Sequence, residues 1–396
     1  METTKQSIPI AKPFLAKEEF QLVQTALESG WISQGPLVAQ FEEDICRITQ
    51  AKHGIATTSC TTALHLAMLI HDIGAGDDVI CPSFSFIATA NGIAHAGATP
   101  QFCDISPETM NISPDECRNI IEGNYDANLK NKKTGNKLKA ILIVHQIGIP
   151  ADVDAFNQIA KDFGIIILED SACSIGSVYK GMPVGSSGNT SAWSFHPRKV
   201  ITTGEGGMIT LNDKDRAERA RRLRAHGASI SAHLRHQSAS TMYEEYDEIA
   251  YNYRMTDMQA AIGIKQLERL DWIVSRRNEI ASHYNSVFDK TSGIKRIIPK
   301  DYVTTWNYQS YPIMLEAATR DERDEVISKL DKAGITTRRG IPPIHKEGAY
   351  NKTSGEGLVL PYTERLSETV VFLPIFPSMT EEEVAYVASE VKAVIS

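Results

Sequence analysis

Lys199 stands in Ser194-Phe195-His196-Pro197-Arg198-Lys199, between a strand-like run and the glycine-rich turn Thr202-Thr203-Gly204-Glu205-Gly206-Gly207. Glycines there let backbone pass close to a ligand, and a lysine beside an apolar cleft has a lowered pKa and can attack a carbonyl to form a Schiff base. A second piece is Glu169-Asp170, delivered by the apolar run Ile165-Ile166-Ile167-Leu168 and followed by Ser171-Ala172-Cys173. One of these carboxylates is expected to face inward. The third piece is Thr57-Thr58-Ser59-Cys60-Thr61-Thr62, directly ahead of a helix-period segment. Hydroxyls and unpaired N–H groups at a helix N-terminus suit a phosphate monoester, and Ser194 adds a hydroxyl if it points the same way. Taken singly, each piece has an ordinary explanation: a solvated lysine, an aspartate capping a turn, an N-capped helix.

Together, an amine able to hold an aldehyde, an acid able to pair with a pyridinium nitrogen and a cup for a phosphate meet the requirements of pyridoxal 5′-phosphate (PLP). That cofactor is an electron sink, and the protein must keep its ring nitrogen protonated through an ionised carboxylate. The ring also needs an apolar cover. Pro82-Ser83-Phe84-Ser85-Phe86-Ile87-Ala88-Thr89 offers an aromatic for it, although a core phenylalanine explains the same string.

The elements that must position these residues alternate. Asp78–Cys81, Ala140–Val144 and Ile165–Leu168 are short and β-branched, and between them lie helix-period segments at Thr62–Ile73 and Asp152–Phe163. Strand alternating with helix predicts an α/β fold with a mostly parallel, doubly covered sheet, whose chemistry gathers beyond the carboxyl ends of the strands. Met255 to Phe288 reads as one long connecting helix. After it come a strand at Tyr308–Leu315, a helix at Arg320–Ala333, a strand at Ile335–Arg339 and a terminal helix at Glu381–Val394, the makings of a smaller C-terminal α+β domain. The expected division is a large domain over 1–254 and a connecting helix with the small domain over 255–396. Asn124–Lys137 and Ala228–Asp247 read as surface excursions.

Composition narrows the classes. With 41 basic against 49 acidic residues the net charge is −8, so no general attraction to nucleic acid or anionic lipid is available. No apolar stretch approaches the about 18 residues of a membrane span, and the N-terminus lacks the pattern of a secretory signal. Six cysteines without Cys-x-x-Cys spacing suggest reduced thiols and a cytoplasmic protein. No metal site is expected, since His233 and His236 lie in a polar stretch where chance spacing explains them.

The ordered set of strings resembles the DegT family of fold-type-I PLP enzymes, the keto-sugar aminotransferases that act mainly on nucleotide-linked sugars. It runs from Gly30-Trp31-Ile32-Ser33-Gln34-Gly35-Pro36 through Ser59–Leu66, Pro82–Asn91, Glu169-Asp170, Ser194–Gly207 and Tyr251-Asn252-Tyr253-Arg254-Met255 to Gly340–His345 and Leu373-Pro374. The resemblance implies that Lys199 carries the cofactor and shuttles the proton, that Asp170 holds the pyridinium, and that Phe86 stacks on the ring. It further implies that Cys60, Thr61 and Ser194 bind the phosphate, and that Asn252 reaches the phosphate of a neighbouring subunit in a homodimer with shared sites. His345 matches a histidine near the sugar pocket. Cys173 stands where the family has a glutamine or histidine contacting the ring hydroxyl, and a thiol is a poor replacement donor. Cys60 replaces a glycine, and Arg198 a threonine.

The implied reaction moves an amino group from L-glutamate to a keto-sugar, in amino-sugar and polysaccharide biosynthesis. A sugar dehydratase on the same fold has histidine in place of the lysine, so Lys199 opposes it. Lys199 and Asp170 oppose a relative reduced to a regulatory role. A nicotinamide dehydrogenase fails because Gly204-Glu205-Gly206-Gly207 is not Gly-x-Gly-x-x-Gly and opens no helix after the first strand.

Overall fold

The computed structural model describes residues 7–228 and 245–395. Only the ends of the 228–247 excursion fall among them, and His233 and His236 lie outside the described residues.

Among the described residues the main sheet has seven strands, in the spatial order His53–Thr57, Gly207–Leu211, Thr190–Ser194, Ile166–Asp170, Lys137–Val144, Asp77–Pro82 and Thr99–Cys103. Gly207–Leu211 runs antiparallel to both neighbours, and the other pairings are parallel. Alternation along each strand feeds two cores. Ala140 and Leu142 join one cluster with Val79, Cys81 and Leu168, while Ile141 and Ile143 join the opposite one with Ile80 and Ile167. A strand buried on both faces must be apolar throughout, which is why these runs stand out in the sequence.

Helices cover both faces. Cys60–Leu69 starts at Ser59, whose side chain accepts from Thr62 N–H, and Val153–Phe163 starts at Asp152, whose carboxylate accepts from Ala155 N–H. The 124–137 excursion is pinned by the buried Asp78, which accepts from Tyr125 Oη, Asn131 Nδ2 and Asn136 Nδ2 at 2.8–2.9 Å.

The long helix expected over 255–288 is two helices, Asp257–Glu268 and Leu270–Phe288. Arg269 leaves helical geometry at φ −108°, ψ 6°, and its guanidinium binds Glu18 and Glu19 of the N-terminal helix Lys17–Glu28. Beyond it lies a four-stranded antiparallel sheet in the order Ile294–Arg296, Tyr311–Leu315, Val370–Leu373, Arg338–Arg339. The expected strand at 335–339 shrinks to Arg338–Arg339, and Ile335 instead pairs with Ile8, which binds Gly334 and Thr336 through backbone bonds of 2.8 and 2.9 Å. Among the described residues no helix is long and apolar enough to cross a membrane.

Candidate active site

One edge of the main sheet gathers the chain ends that matter: Thr57, Pro82, Asp170 and Ser194 finish strands there and Gly207 begins one. Thr57 and Ser194 are both register partners of Gly207, and Asp170 faces Ala192. The cup, the acid and the loop that carries the lysine therefore share one rim, as expected for an open α/β sheet.

Glu169 and Asp170 are both buried, whereas one inward carboxylate was expected. Successive strand residues point to opposite faces. Glu169 is consumed by its own surroundings, accepting from His145 Nε2, Ser187 Oγ, Asn189 Nδ2 and Ser191 Oγ. Ala151 N–H donates to His145 Nδ1 at 3.0 Å, which puts the ring proton on Nε2, facing Glu169. Asp170 accepts from Thr89 Oγ1 at 2.8 Å and from Ala172 N–H at 3.2 Å. Burial pushes its carboxyl above the usual range, and Thr89, Ala172 N–H, Lys199 and His145 oppose that shift only in part.

Lys199 is half-buried with Nζ 3.1 Å from Cys173 Sγ. Its pKa is raised, contrary to the lowered value expected for a lysine in an apolar cleft. Burial does pull the ammonium down, but Cys173, Asp170 and Cys60 together outweigh it. Cys60 sits at the first helical position, and burial followed by Asp170 pushes its thiol up.

The cup is built from backbone. First-turn N–H groups have no helical acceptor. Ser59 Oγ takes that of Thr62, leaving those of Cys60 and Thr61 open. Gly207 closes the other side, where a Cβ would lie 2.3 Å from Ser59 C and O and 2.5 Å from Cys60 N. Ser194 is buried at the end of its strand. Tyr253 C=O accepts from Thr58 N–H at 3.0 Å, which docks the 251–253 segment against the loop before the cup, and the neighbouring Asn252 is exposed.

The two aromatic candidates separate. Phe84 is wholly buried and its carbonyl accepts from Gln146 Nε2, whereas Phe86 is 74% exposed. His345 is 1% exposed, with Nδ1 2.7 Å from Ser83 Oγ and Nε2 3.2 Å from Glu364 Oε1. Both ring nitrogens are thus engaged, and among the described residues no contact joins His345 to Lys199. Arg198 is exposed, and its carbonyl accepts from Gln309 Nε2. Among the described residues no cluster of three or more His, Cys, Asp or Glu could hold a metal ion.

Thr89 and His145 were not singled out by sequence, although the Phe84–Thr89 string contains the first. Nothing local marks a threonine in the first turn of Ala88–His95 as the partner of an aspartate 81 residues away. Asn307 was missed as well. Its Nδ2 donates to the carbonyls of Cys173 and Ile175, both at 2.8 Å, and fixes the backbone that carries the thiol.

The rim fits PLP: a buried carboxylate short of a cationic partner, an amine beside it, two open N–H groups and an uncovered ring. A mostly parallel sheet bearing this rim, with a smaller antiparallel unit after it, is the fold of a type-I PLP aminotransferase. The chain belongs to the DegT/DnrJ/EryC1/StrS aminotransferase family, whose model matches residues 13–392. The spore coat polysaccharide biosynthesis protein SpsC of Bacillus subtilis is 35% identical over 390 residues, covering 98% of this chain and 97% of its own. Spr1654 of Streptococcus pneumoniae, assigned as a sugar aminotransferase, has a PMP-form structure that superposes at TM-score 0.88 with 30% identity, over 98% of this chain and 99% of that one. A PLP-form structure of the same protein is also similar. Helicobacter pylori PseC, an aminotransferase involved in the biosynthesis of pseudoaminic acid, superposes at 0.88 with 26% identity, over 98% of this chain and 99% of that one. Enzymes of this family are PLP-dependent, and the chain is one of them.

Proposed function

We propose that the protein transfers the amino group of L-glutamate to a nucleotide-linked keto-sugar, in cytoplasmic amino-sugar and polysaccharide biosynthesis. The observation that carries this reading is the rim itself, where Lys199, Asp170 and the helix start at Cys60, with its open N–H groups, come together; Phe86 is exposed. The similarity to SpsC and PseC supports the sugar acceptor.

Bound PLP supplies an aldehyde that carries nitrogen between substrates and a ring that accepts the electrons of the broken Cα–H bond. The protein does the rest. Lys199 Nζ holds the aldehyde, and once released it moves the proton off and onto the reacting carbon. Asp170, fixed by Thr89 and Ala172 N–H, keeps the proton on the ring nitrogen. The N–H groups of Cys60 and Thr61, with Ser194 Oγ, bind the phosphate, and Phe86 covers the ring. Asn252 serves the site of a second copy, which makes a homodimer the working unit. His345 ties the 340–345 segment to Ser83 and thereby shapes the sugar pocket from behind. In this reading the large domain, 1–254, holds the cofactor and the 255–396 portion closes over the sugar.

The test is direct. Protein loaded with PLP should show a visible absorbance band that borohydride fixes to Lys199. L-glutamate should release 2-oxoglutarate, and UDP-, dTDP-, GDP- or CMP-linked keto-sugars should then take up the nitrogen. No band in the presence of PLP excludes the lysine assignment. Turnover with free keto-sugars alone excludes the nucleotide linkage, and release of 2-oxoglutarate with no sugar accepted excludes the acceptor class.

A further inference from the structure

Among the described residues Cys173 is the one thiol bonded to an amine, Lys199 Nζ at 3.1 Å. Asn307 fixes its carbonyl. Cys173 and Lys199 are both half-buried. Another close sulfur contact, Cys103 Sγ to Cys117 Sγ at 3.5 Å, is wholly enclosed. A thiol held at contact distance from an amine nitrogen is an arrangement in which oxidised sulfur can be trapped, once the amine is deprotonated, before it oxidises further.

We propose that Cys173 and Lys199 form an oxidisable pair, closing to a reversible sulfur–nitrogen link when a hydroperoxide reaches the protein while Lys199 is free of cofactor. The inference rests on the reading of Lys199 as the cofactor lysine. In the first step the Cys173 thiol and hydrogen peroxide give a sulfenic acid and water. Two electrons pass from sulfur to the peroxide, whose O–O bond breaks. In the second, the Lys199 ammonium gives one proton to solvent, the lone pair so freed on Nζ attacks that sulfur, the N–S bond forms and the S–O bond breaks. The departing oxygen leaves as water with one amine proton. Two equivalents of an added thiol reverse the link, regenerating Cys173 and Lys199 and leaving a disulfide of the reductant.

Geometry selects the amine over the second thiol of the site. Cys60 lies near enough to Lys199 and Cys173 to interact electrostatically with both, yet it makes no bond to Cys173. Asp170 and His196 also act on Lys199 electrostatically. The link would have two effects. It would stop Cys173 short of sulfinic acid, which thiols do not reduce, and it would close the lysine to PLP until the link is reduced. Cofactor bound to Lys199 occupies the same nitrogen, so the loaded enzyme should be spared.

The test uses the full-length protein in PLP-free and PLP-loaded forms, each treated with a stoichiometric amount of hydrogen peroxide and then digested for peptide mapping. In the PLP-free sample we expect a peptide joining residues 173 and 199, two hydrogens lighter than the sum of its parts and absent after dithiothreitol. The same sample should fail to develop the visible PLP band until reduced, and the loaded sample should show no joined peptide. Cys173→Ser should keep its PLP band after peroxide. A disulfide between Cys60 and Cys173, a sulfinic acid at Cys173, or unmodified Cys173 would each overturn the proposal. Because the joined peptide forms without cofactor or substrate, its absence is distinguishable from failure of the functional reading. That failure would show instead as a missing PLP band before any peroxide is added.

Discussion

Thr89 Oγ1 donates to Asp170 Oδ2 at 2.8 Å, and Ser85 Oγ lies 2.8 Å behind it on the same hydroxyl. Since the Thr89 proton points at the carboxylate, Ser85 is the donor to Thr89, and a short relay from the end of one strand orients the acid at the end of another. The acid is thus held from outside its own loop as well as by Ala172 N–H within it.

Thr89→Val keeps the shape and removes the donor. A hydrogen bond to a charged group contributes about 1.5–3 kcal/mol, so PLP affinity should fall by on the order of tenfold to a hundredfold, read from titration of the visible band. Unchanged affinity would mean that Thr89 does not orient the acid.

The buried carboxyl of Asp170 also makes a pH prediction. Its folded pKa lies above the unfolded value, so its contribution to stability is full below the ordinary carboxylate range and is lost as pH rises through the folded value. In PLP-free protein, Asp170→Asn removes that loss. The melting temperature of the variant relative to wild type should therefore climb from about pH 4 towards neutrality, while its PLP binding weakens. A difference that stays flat with pH would contradict the buried-acid account.

Gly207→Ala places a Cβ against the Ser59 carbonyl and Cys60 N. Both are backbone atoms that cannot swing aside, so the helix N-terminus must shift. We expect a stability loss of about 1–3 kcal/mol and a larger fractional loss of PLP affinity, measured by thermal melts and cofactor titration. Full PLP affinity in a stably folded variant would show that the cup is built elsewhere.

Asn252 is the residue assigned to a second copy. Lys199→Ala and Asn252→Ala proteins should each be inactive, and unfolding and refolding them together should restore part of the activity through hybrids with one intact site. If no activity returns although mixed oligomers form, the two residues serve the same site of one chain.

Much of the sheet was legible because its strands are buried on both faces. Ile165–Leu168 and Ala140–Val144 are continuous apolar runs, and only a doubly covered strand needs them. The Lys199 and Asp170 strings were legible because small residues and glycines surround them. What the sequence hid was set by distance along the chain. The apolar period of 255–288 runs on past Arg269, and the break is tied to Glu18 and Glu19, far upstream. Val370–Leu373, a central strand of the second sheet, is four residues long and follows the helix Pro361–Thr369 directly, which leaves no turn signal to announce it. His345 was placed near the sugar from its string, and only the fold reveals Ser83 and Glu364 filling both its nitrogens.

The antiparallel placement of Gly207–Leu211 against Thr190–Ser194 turns the lysine segment into a hairpin clamped at both feet by the same sheet. An inserted or deleted residue between Phe195 and Gly206 must be taken up between two fixed feet and is expected to shift the amine relative to the carboxylate on the adjacent strand. Segment length should therefore tolerate far less drift there than at Asn124–Lys137, where the excursion ends away from the chemistry.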